Sequence, residues 1–156
     1  MDHTVLTRTA LIEHWLGHRR LTRRTVEAFP EEDLYAHHAP GMRSFAEMVA
    51  ELTTWTTPTI RGAIDRTWRW PAGTRRPAAT KSALLEAFDE DTAELARLLE
   101  SVPEARFAEL DEPVPGRREA VIASLLYALD NEIHHRAQGF VYLRELGVDP
   151  PEFDQR

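Results

Sequence analysis

The sequence predicts an all-α protein, a four-helix bundle that forms a single domain over residues 1–156. Four long stretches carry apolar residues every three to four positions, which is typical of amphipathic helices. Pro- and Gly-rich connections separate these stretches. Nothing alternates apolar and polar residues over a useful length, so no β-strand is predicted. The connections of about a dozen residues also permit helices that are not adjacent in sequence to pack together.

The first predicted helix runs from about Thr4 to Ala28, and Pro30 ends it because proline disfavours helical backbone in the residue before it. Residues 31–42 are expected to be a loop, with a turn at Pro40 and Gly41. The apolar face of the helix consists of Val5, Leu11, Ile12, Trp15, Leu16, Val26 and Phe29.

The second predicted helix begins at Ser44 and continues toward Trp68. Ser44 and Glu47 have the spacing of a capping box, in which each side chain satisfies a free backbone amide at the helix start. Pro58 lies inside the pattern and removes one backbone hydrogen bond, so a kink is expected there rather than an end.

The third and fourth predicted helices run from about Lys81 to Glu100 and from about Arg118 to Leu146. Gly147 is expected to cap the last helix. The proline-rich connection at residues 103–116 contains Phe107 and Leu110, for which a short helical turn is expected.

Composition excludes several classes of function. The chain has no cysteine, which rules out disulfides, zinc–thiolate sites and cysteine nucleophiles. A net charge of −7 argues against nucleic acid as a partner. No apolar run approaches the roughly 20 residues of a membrane span, and the N-terminus does not resemble a signal peptide, so a cytoplasmic protein without a membrane partner is expected. Neither a hydrolase elbow nor a Gly-rich phosphate loop occurs.

The fourth helix carries the most informative polar residues. Asn131 and His135 are four positions apart, which places them on one face, at the border of the apolar stripe. A border position suits a polar ligand in a bundle cleft. The other interpretation is that His135 is a hydrogen-bonded histidine at a helix–helix seam. The neighbouring His134 is expected to face solvent or a partner subunit.

Two other spacings bear on metal chemistry. His14 and His18 are also four positions apart; they either line the same cleft or are exposed or bridge to neighbouring side chains. Glu132 and His135 have the Glu-x-x-His spacing of di-iron bundles. Such bundles need a second copy of that motif, and no other helix supplies one, so di-iron chemistry is not expected.

The run HHRAQGFVYLRELG at residues 134–147 resembles the last helix of the DinB/YfiT-like family of metal-binding four-helix bundles. The turn at Pro40 and Gly41, followed by a helix starting at Ser44, resembles that family's second helix. The resemblance covers nearly the whole chain. It implies a divalent metal held by three histidines, at positions where this chain has Glu51, Asn131 and His135.

The changed residues leave two hypotheses open. The first is a metal-dependent enzyme that acts on a small molecule. The resemblance implies S-transfer with a thiol cofactor as one such reaction. Glu51, His135 and the weaker ligand Asn131 would bind zinc, nickel or manganese. The second is a non-catalytic, metal-free bundle that binds a small ligand or a protein partner. In that case a hydrogen bond between Glu51 and His135 is expected to satisfy both groups. The family resemblance also implies a homodimer.

Four aromatic residues bear on a pocket near Glu51. Either they supply its apolar wall, or they serve simple core and loop packing. A loop is expected at residues 69–80, and two alternatives stay open: the loop covers the cleft, or the cleft is open. The four residues are Phe45, Trp55, Trp68 and Trp70.

Overall fold

Five α-helices, one 3-10 helix and one small hairpin make up the computed structural model, which describes residues 6–156. Each of the long helices α1 and α3 packs against both α4 and α5, so α1 and α3 take diagonal positions in the bundle. The predicted all-α bundle is confirmed. No helix within residues 6–156 has the length and apolar character to cross a membrane. The helices are α1 (Arg8–Ala28), α2 (Glu31–Ala36), α3 (Phe45–Asp65), α4 (Lys81–Glu100) and α5 (Val121–Glu145).

Side-chain hydroxyl groups cap the N-termini of three of the long helices. The Thr7 hydroxyl accepts a hydrogen bond from a backbone amide of α1, and Thr80 does the same for α4. The capping box predicted for Ser44 and Glu47 is present at the start of α3. Residues 4 and 5 of the first predicted helix lie outside the described residues. Helix α3 continues through Pro58, as the sequence predicts.

The connection between α4 and α5 differs from the prediction. It contains a 3-10 helix, Glu104–Ala108, followed by an antiparallel hairpin of β1 (Leu110–Val114) and β2 (Arg117–Ala120). The predictions of no strand and of a helix start at Arg118 are therefore wrong. Both strands are short and mostly exposed, so they lack the apolar alternation that reveals a half-buried strand. The predicted turn at Phe107 is confirmed, whereas Leu110 lies in β1.

Two other predicted boundaries are corrected. Helix α3 ends at Asp65 rather than near Trp68, because Arg66 adopts a left-handed conformation with φ of 59°. The expected loop at residues 31–42 contains the short helix α2. Only one residue of α2, Leu34, is buried, so a helix of this length leaves no apolar periodicity to recognise.

The interior holds charged groups as well as apolar ones. Arg19 on α1 lies 3.0 Å from the Glu132 carboxylate on α5 and 2.9 Å from the Asp91 carboxylate on α4. Its guanidinium also donates to the Thr56 hydroxyl on α3, at 3.0 Å. One buried arginine thus joins all four long helices. Glu132 in addition accepts hydrogen bonds from Trp15 and Thr22 of α1.

Candidate functional site

The three residues at the predicted metal positions meet between α3 and α5. His135 Nε2 lies 3.1 Å from Glu51 Oε1, and Asn131 Nδ2 lies 3.2 Å from the same oxygen. Asn131 and His135 are one turn apart on α5, so both reach the carboxylate that faces them from α3. The hydrogen bond expected between Glu51 and His135 is therefore present, while the role of the three residues as metal ligands stays a prediction.

The second carboxylate oxygen of Glu51 contacts an arginine that the sequence did not single out. Arg43 Nη1 forms an ion pair with Glu51 Oε2. Arg43 directly precedes Ser44, the N-cap of α3, and its carbonyl oxygen accepts a hydrogen bond of 3.2 Å from the Tyr142 hydroxyl. The only signal in the sequence is an arginine beside a helix start, about two turns before a carboxylate. That pattern does not predict that the Arg43 side chain contacts Glu51.

The polar contacts keep Glu51 ionised. Burial by itself raises the pKa of the Glu51 carboxyl, but hydrogen bonds from Arg43, His135 and Asn131 outweigh burial and bring the pKa below its ordinary value. Glu51 therefore acts as a carboxylate at neutral pH, with its charge directed toward Arg43 on one side and toward α5 on the other.

Gln138 orients the His135 ring. The Gln138 side-chain oxygen lies 2.9 Å from His135 Nδ1, and the Gln138 amide nitrogen lies 3.3 Å from the exposed His134 ring. An amide oxygen and a carboxylate only accept hydrogen bonds, so the ring donates from Nδ1 to Gln138 and from Nε2 to Glu51 where both contacts form. A partner at Nδ1 that fixes the ring is also what a histidine needs when its other nitrogen faces a ligand.

An open pocket of about 400 Å³ adjoins Glu51 and Asn131. Helices α3 and α5 form two of its walls, and the hairpin and the segment after α3 complete it. Most of its surface is apolar. Its lining consists of Glu51, Leu52, Trp55, Thr56, Thr59, Trp70, Val114, Arg117, Tyr127, Ala128 and Asn131.

The predicted aromatic wall is confirmed for two of its four members. Trp55 and Trp70 line the pocket, with ring centroids 6.0 Å apart. Trp70 Nε1 donates a hydrogen bond of 2.7 Å to the Pro113 carbonyl oxygen, which ties the loop after α3 to the hairpin. The loop at residues 69–80 therefore contributes to the pocket wall through Trp70.

The other two aromatic residues serve packing. Trp68 stacks on Trp70 and covers Gly62 so closely that a Cβ there would lie 2.3 Å from the indole. Phe45 is fully buried and stacks on Phe29, with ring centroids 5.0 Å apart. For these two the interpretation as packing residues is the correct one.

The two histidines of α1 lie apart from this site. His18 is buried, and its Nδ1 accepts a hydrogen bond of 2.9 Å from Arg136. Its Nε2 lies 3.3 Å from His14 Nε2 and 3.3 Å from Arg156 Nη1. Burial lowers the pKa of His18 to about 4, with help from the positive charges of Arg136 and Arg156 and from His14. The pair bridges to neighbouring side chains and does not join Glu51.

The family follows from a comparison of the whole chain. The sequence matches the model of the DinB family over residues 1–156. The chain belongs to the DinB family.

Two solved structures resemble this DinB-family chain in fold. A DinB-like protein of Bacillus subtilis, YjoA, is 24% identical with a TM-score of 0.77, and the alignment covers 94% of this chain and 98% of that one. A DinB-like protein of Bacillus cereus is 16% identical with a TM-score of 0.75, over 92% of this chain and 95% of that one. At these identities the likeness shows the fold alone. No curated protein matches the sequence.

Proposed function

We propose that this DinB-family protein binds a small molecule that has a flat apolar body and polar groups at its ends. The observation that carries the proposal is the pocket itself, in which Trp55, Trp70 and Tyr127 adjoin the polar side chains of Glu51 and Asn131. A concave, largely apolar surface with a few converging polar groups is the usual form of a small-molecule site.

Arg117 suggests one of those polar groups. Its guanidinium carbon lies 5.8 Å from the centre of the Tyr127 ring, beside the same pocket. The intramolecular partner of Arg117 is Glu119, at 3.2 Å in a half-exposed ion pair. Such pairs contribute little free energy, so an anionic group on a ligand competes well for the arginine. The proposed ligand therefore carries an acidic group for Arg117 and a hydrogen-bonding group for Asn131.

A fluorescence titration with anilinonaphthalenesulfonate tests the binding site, because this dye combines fused aromatic rings with a sulfonate. One saturable site is expected, and Trp70→Ala and Arg117→Ala should each weaken binding by about tenfold. Val141→Ala is the matched control, since Val141 is 53% exposed and does not line the pocket. Equal losses in all three variants, or no saturable binding, would contradict the proposal.

A metal-dependent enzyme is the second candidate, favoured by the contact between Gln138 and His135 Nδ1. Metal-binding histidines have such a partner on their second nitrogen, and Nε2 would bind the ion in place of its hydrogen bond to Glu51. Glu51 and His135 would hold zinc, nickel or manganese, with Asn131 as a weak third ligand or a water anchor. Such an ion would lower the pKa of a thiol or of water, which is the chemistry that S-transfer with a thiol cofactor needs.

Elemental analysis of untagged protein tests the metal candidate. About one equivalent of metal per chain is expected if the candidate is correct, with loss of that metal in Glu51→Ala and His135→Ala. A metal content that both variants leave unchanged would contradict the assignment of ligands.

The expected homodimer and the expected cytoplasmic location remain proposals. Helix α5 has exposed apolar side chains, Leu126 and Val141 among them, that a second copy is able to cover. Light scattering at several protein concentrations tests the dimer. A single mass of one chain throughout would contradict it.

A further inference from the structure

We propose that Arg43 takes the place of the metal ion in this site. Its guanidinium is the resident cation of the Glu51 carboxylate and competes with divalent metals for that carboxylate. The inference concerns the site of the proposed function and rests on the contacts of Glu51, but it makes a separate prediction about metal affinity.

The donor set does not match a three-ligand metal site. Within residues 6–156, no three His, Asp or Glu side chains are grouped closely enough to hold an ion. Glu51 and His135 supply one carboxylate and one imidazole, and the Asn131 amide presents its NH2 group to Glu51. Catalytic zinc sites use three protein ligands, so this set lacks one strong donor.

Both oxygens of the Glu51 carboxylate are already engaged. Oε1 contacts His135 and Asn131, while Oε2 contacts Arg43. The Glu51 side chain is only 18% exposed, so its negative charge needs a nearby cation. A guanidinium supplies that charge together with hydrogen bonds, and it does not dissociate from the chain as a metal ion does. An incoming metal therefore meets a carboxylate whose charge is already neutralised, and the Arg43 guanidinium repels it.

The backbone holds Arg43 in position for this role. On one side, the Tyr142 hydroxyl from α5 donates to the Arg43 carbonyl oxygen. On the other, the backbone N–H of Ser44 donates to the Glu47 carboxylate at 2.9 Å. The chain at Arg43 is thus tied to both helices of the site. Because the backbone is already fixed, only side-chain conformational entropy is lost when Arg43 pairs with Glu51.

The proposal and the metal-dependent candidate make opposite predictions. A guanidinium provides a fixed positive charge and hydrogen-bond donors, but it has no vacant coordination position for a thiol or water. If Arg43 is the cation, ligand binding in the pocket does not require metal. If a metal is the cation, Arg43 orients its Glu51 ligand, and removal of Arg43 should weaken metal binding rather than strengthen it.

Calorimetric titration of chelator-treated protein with zinc distinguishes them. For the wild type we expect at most weak binding at the Glu51 site. Arg43→Ala should raise zinc affinity by about tenfold or more, because it removes the cation that competes with zinc for the Glu51 carboxylate. Arg43→Ala combined with Asn131→His should raise it further, because that pair of changes frees Glu51 and restores a third donor. Arg43→Lys keeps the charge and should remain close to the wild type.

Three controls make the result specific. Arg61→Ala removes an arginine from an exposed ion pair with Glu94 and should leave zinc affinity unchanged. Adding His135→Ala to Arg43→Ala should abolish the gain, which separates this site from zinc bound at other histidines. Circular dichroism checks that every variant is folded, and Arg43→Gln serves in place of Arg43→Ala if the latter is not.

Tight zinc binding by the wild type would overturn the inference. So would an Arg43→Ala variant with unchanged affinity when Asn131→His alone binds tightly. The dye titration, performed without metal, is independent of both outcomes. Loss of dye binding therefore counts against the proposed function, and only the zinc series counts against the role of Arg43.

Discussion

Two arginine–carboxylate pairs meet α5 at neighbouring positions, and they differ in burial. Glu132 is 1% exposed and binds Arg19, Trp15 and Thr22 inside the bundle. Glu51, which contacts Asn131, the residue before Glu132, is 18% exposed and borders an open pocket. The interior pair joins helices, whereas the pocket pair is accessible to a ligand. The same pairing of arginine with carboxylate thus lies inside the bundle at one position and beside the pocket at the next, where we propose that it serves recognition.

The largest loss of stability is expected when Glu132 of the interior pair is changed. Glu132→Ala leaves the buried Arg19 without its partner on α5 and should lower the free energy of unfolding by about 3–5 kcal/mol. Urea unfolding followed by circular dichroism measures the change. A loss below about 1 kcal/mol would mean that the contacts of Glu132 contribute little to the stability of the fold.

The close approach of α5 to α3 predicts the next effect. A Cβ at Gly139 would lie 2.6 Å from the Phe45 ring, which is fully buried and unable to move aside. Gly139→Ala should therefore destabilise the protein by about 1–3 kcal/mol. It should also separate His135 from Glu51 and weaken dye binding. A stable variant with wild-type dye affinity would show that the two helices tolerate a wider spacing.

The neutral His18 beside Arg136 predicts a dependence of stability on pH. The pKa of His18 is lowered to about 4 in the folded state, below the value of about 6.5 in an unfolded chain. The unfolded state therefore binds more protons between these values, so stability is present above pH 6.5 and is lost as the pH falls toward 4. We expect a loss of roughly 1–2 kcal/mol, reduced by solvent screening.

Comparison of the wild type with His18→Gln isolates this contribution from the other groups that titrate in the same range. The difference in unfolding free energy between the two proteins should change between pH 7 and pH 4. A constant difference would exclude His18 as the source.

The smallest effect on stability is expected at the pocket pair. Glu51→Gln keeps the shape of the side chain and removes its charge, and Arg43 is 43% exposed and able to turn toward water. The free energy of unfolding should change by about 1 kcal/mol or less. The same urea titration measures it. A loss as large as that at Glu132 would remove the distinction between the two pairs.

The hairpin and the contact of Arg43 with Glu51 are two features that the sequence did not predict. The hairpin was missed because its strands are short and mostly exposed, and the contacts that hold them come from each other and from residues distant in sequence such as Trp70. Arg43 was missed because its role depends on a side-chain contact with Glu51 across two turns. In contrast, the convergence of Glu51, Asn131 and His135 was correct, because a resemblance to a known family carries information about distant contacts.

The sequence by itself determined the long helices, the capping box at Ser44 and the apolar stripes. These features arise from hydrogen bonds and periodicity within a few residues, which a single sequence displays. Only the tertiary structure decided which polar residues enter the interior. Nothing in the sequence distinguishes the buried Arg19, Glu132 and Arg136 from exposed charged residues, because their partners come from other helices. Burial of a charge depends on those distant partners, because an unpaired charge inside the bundle is too costly.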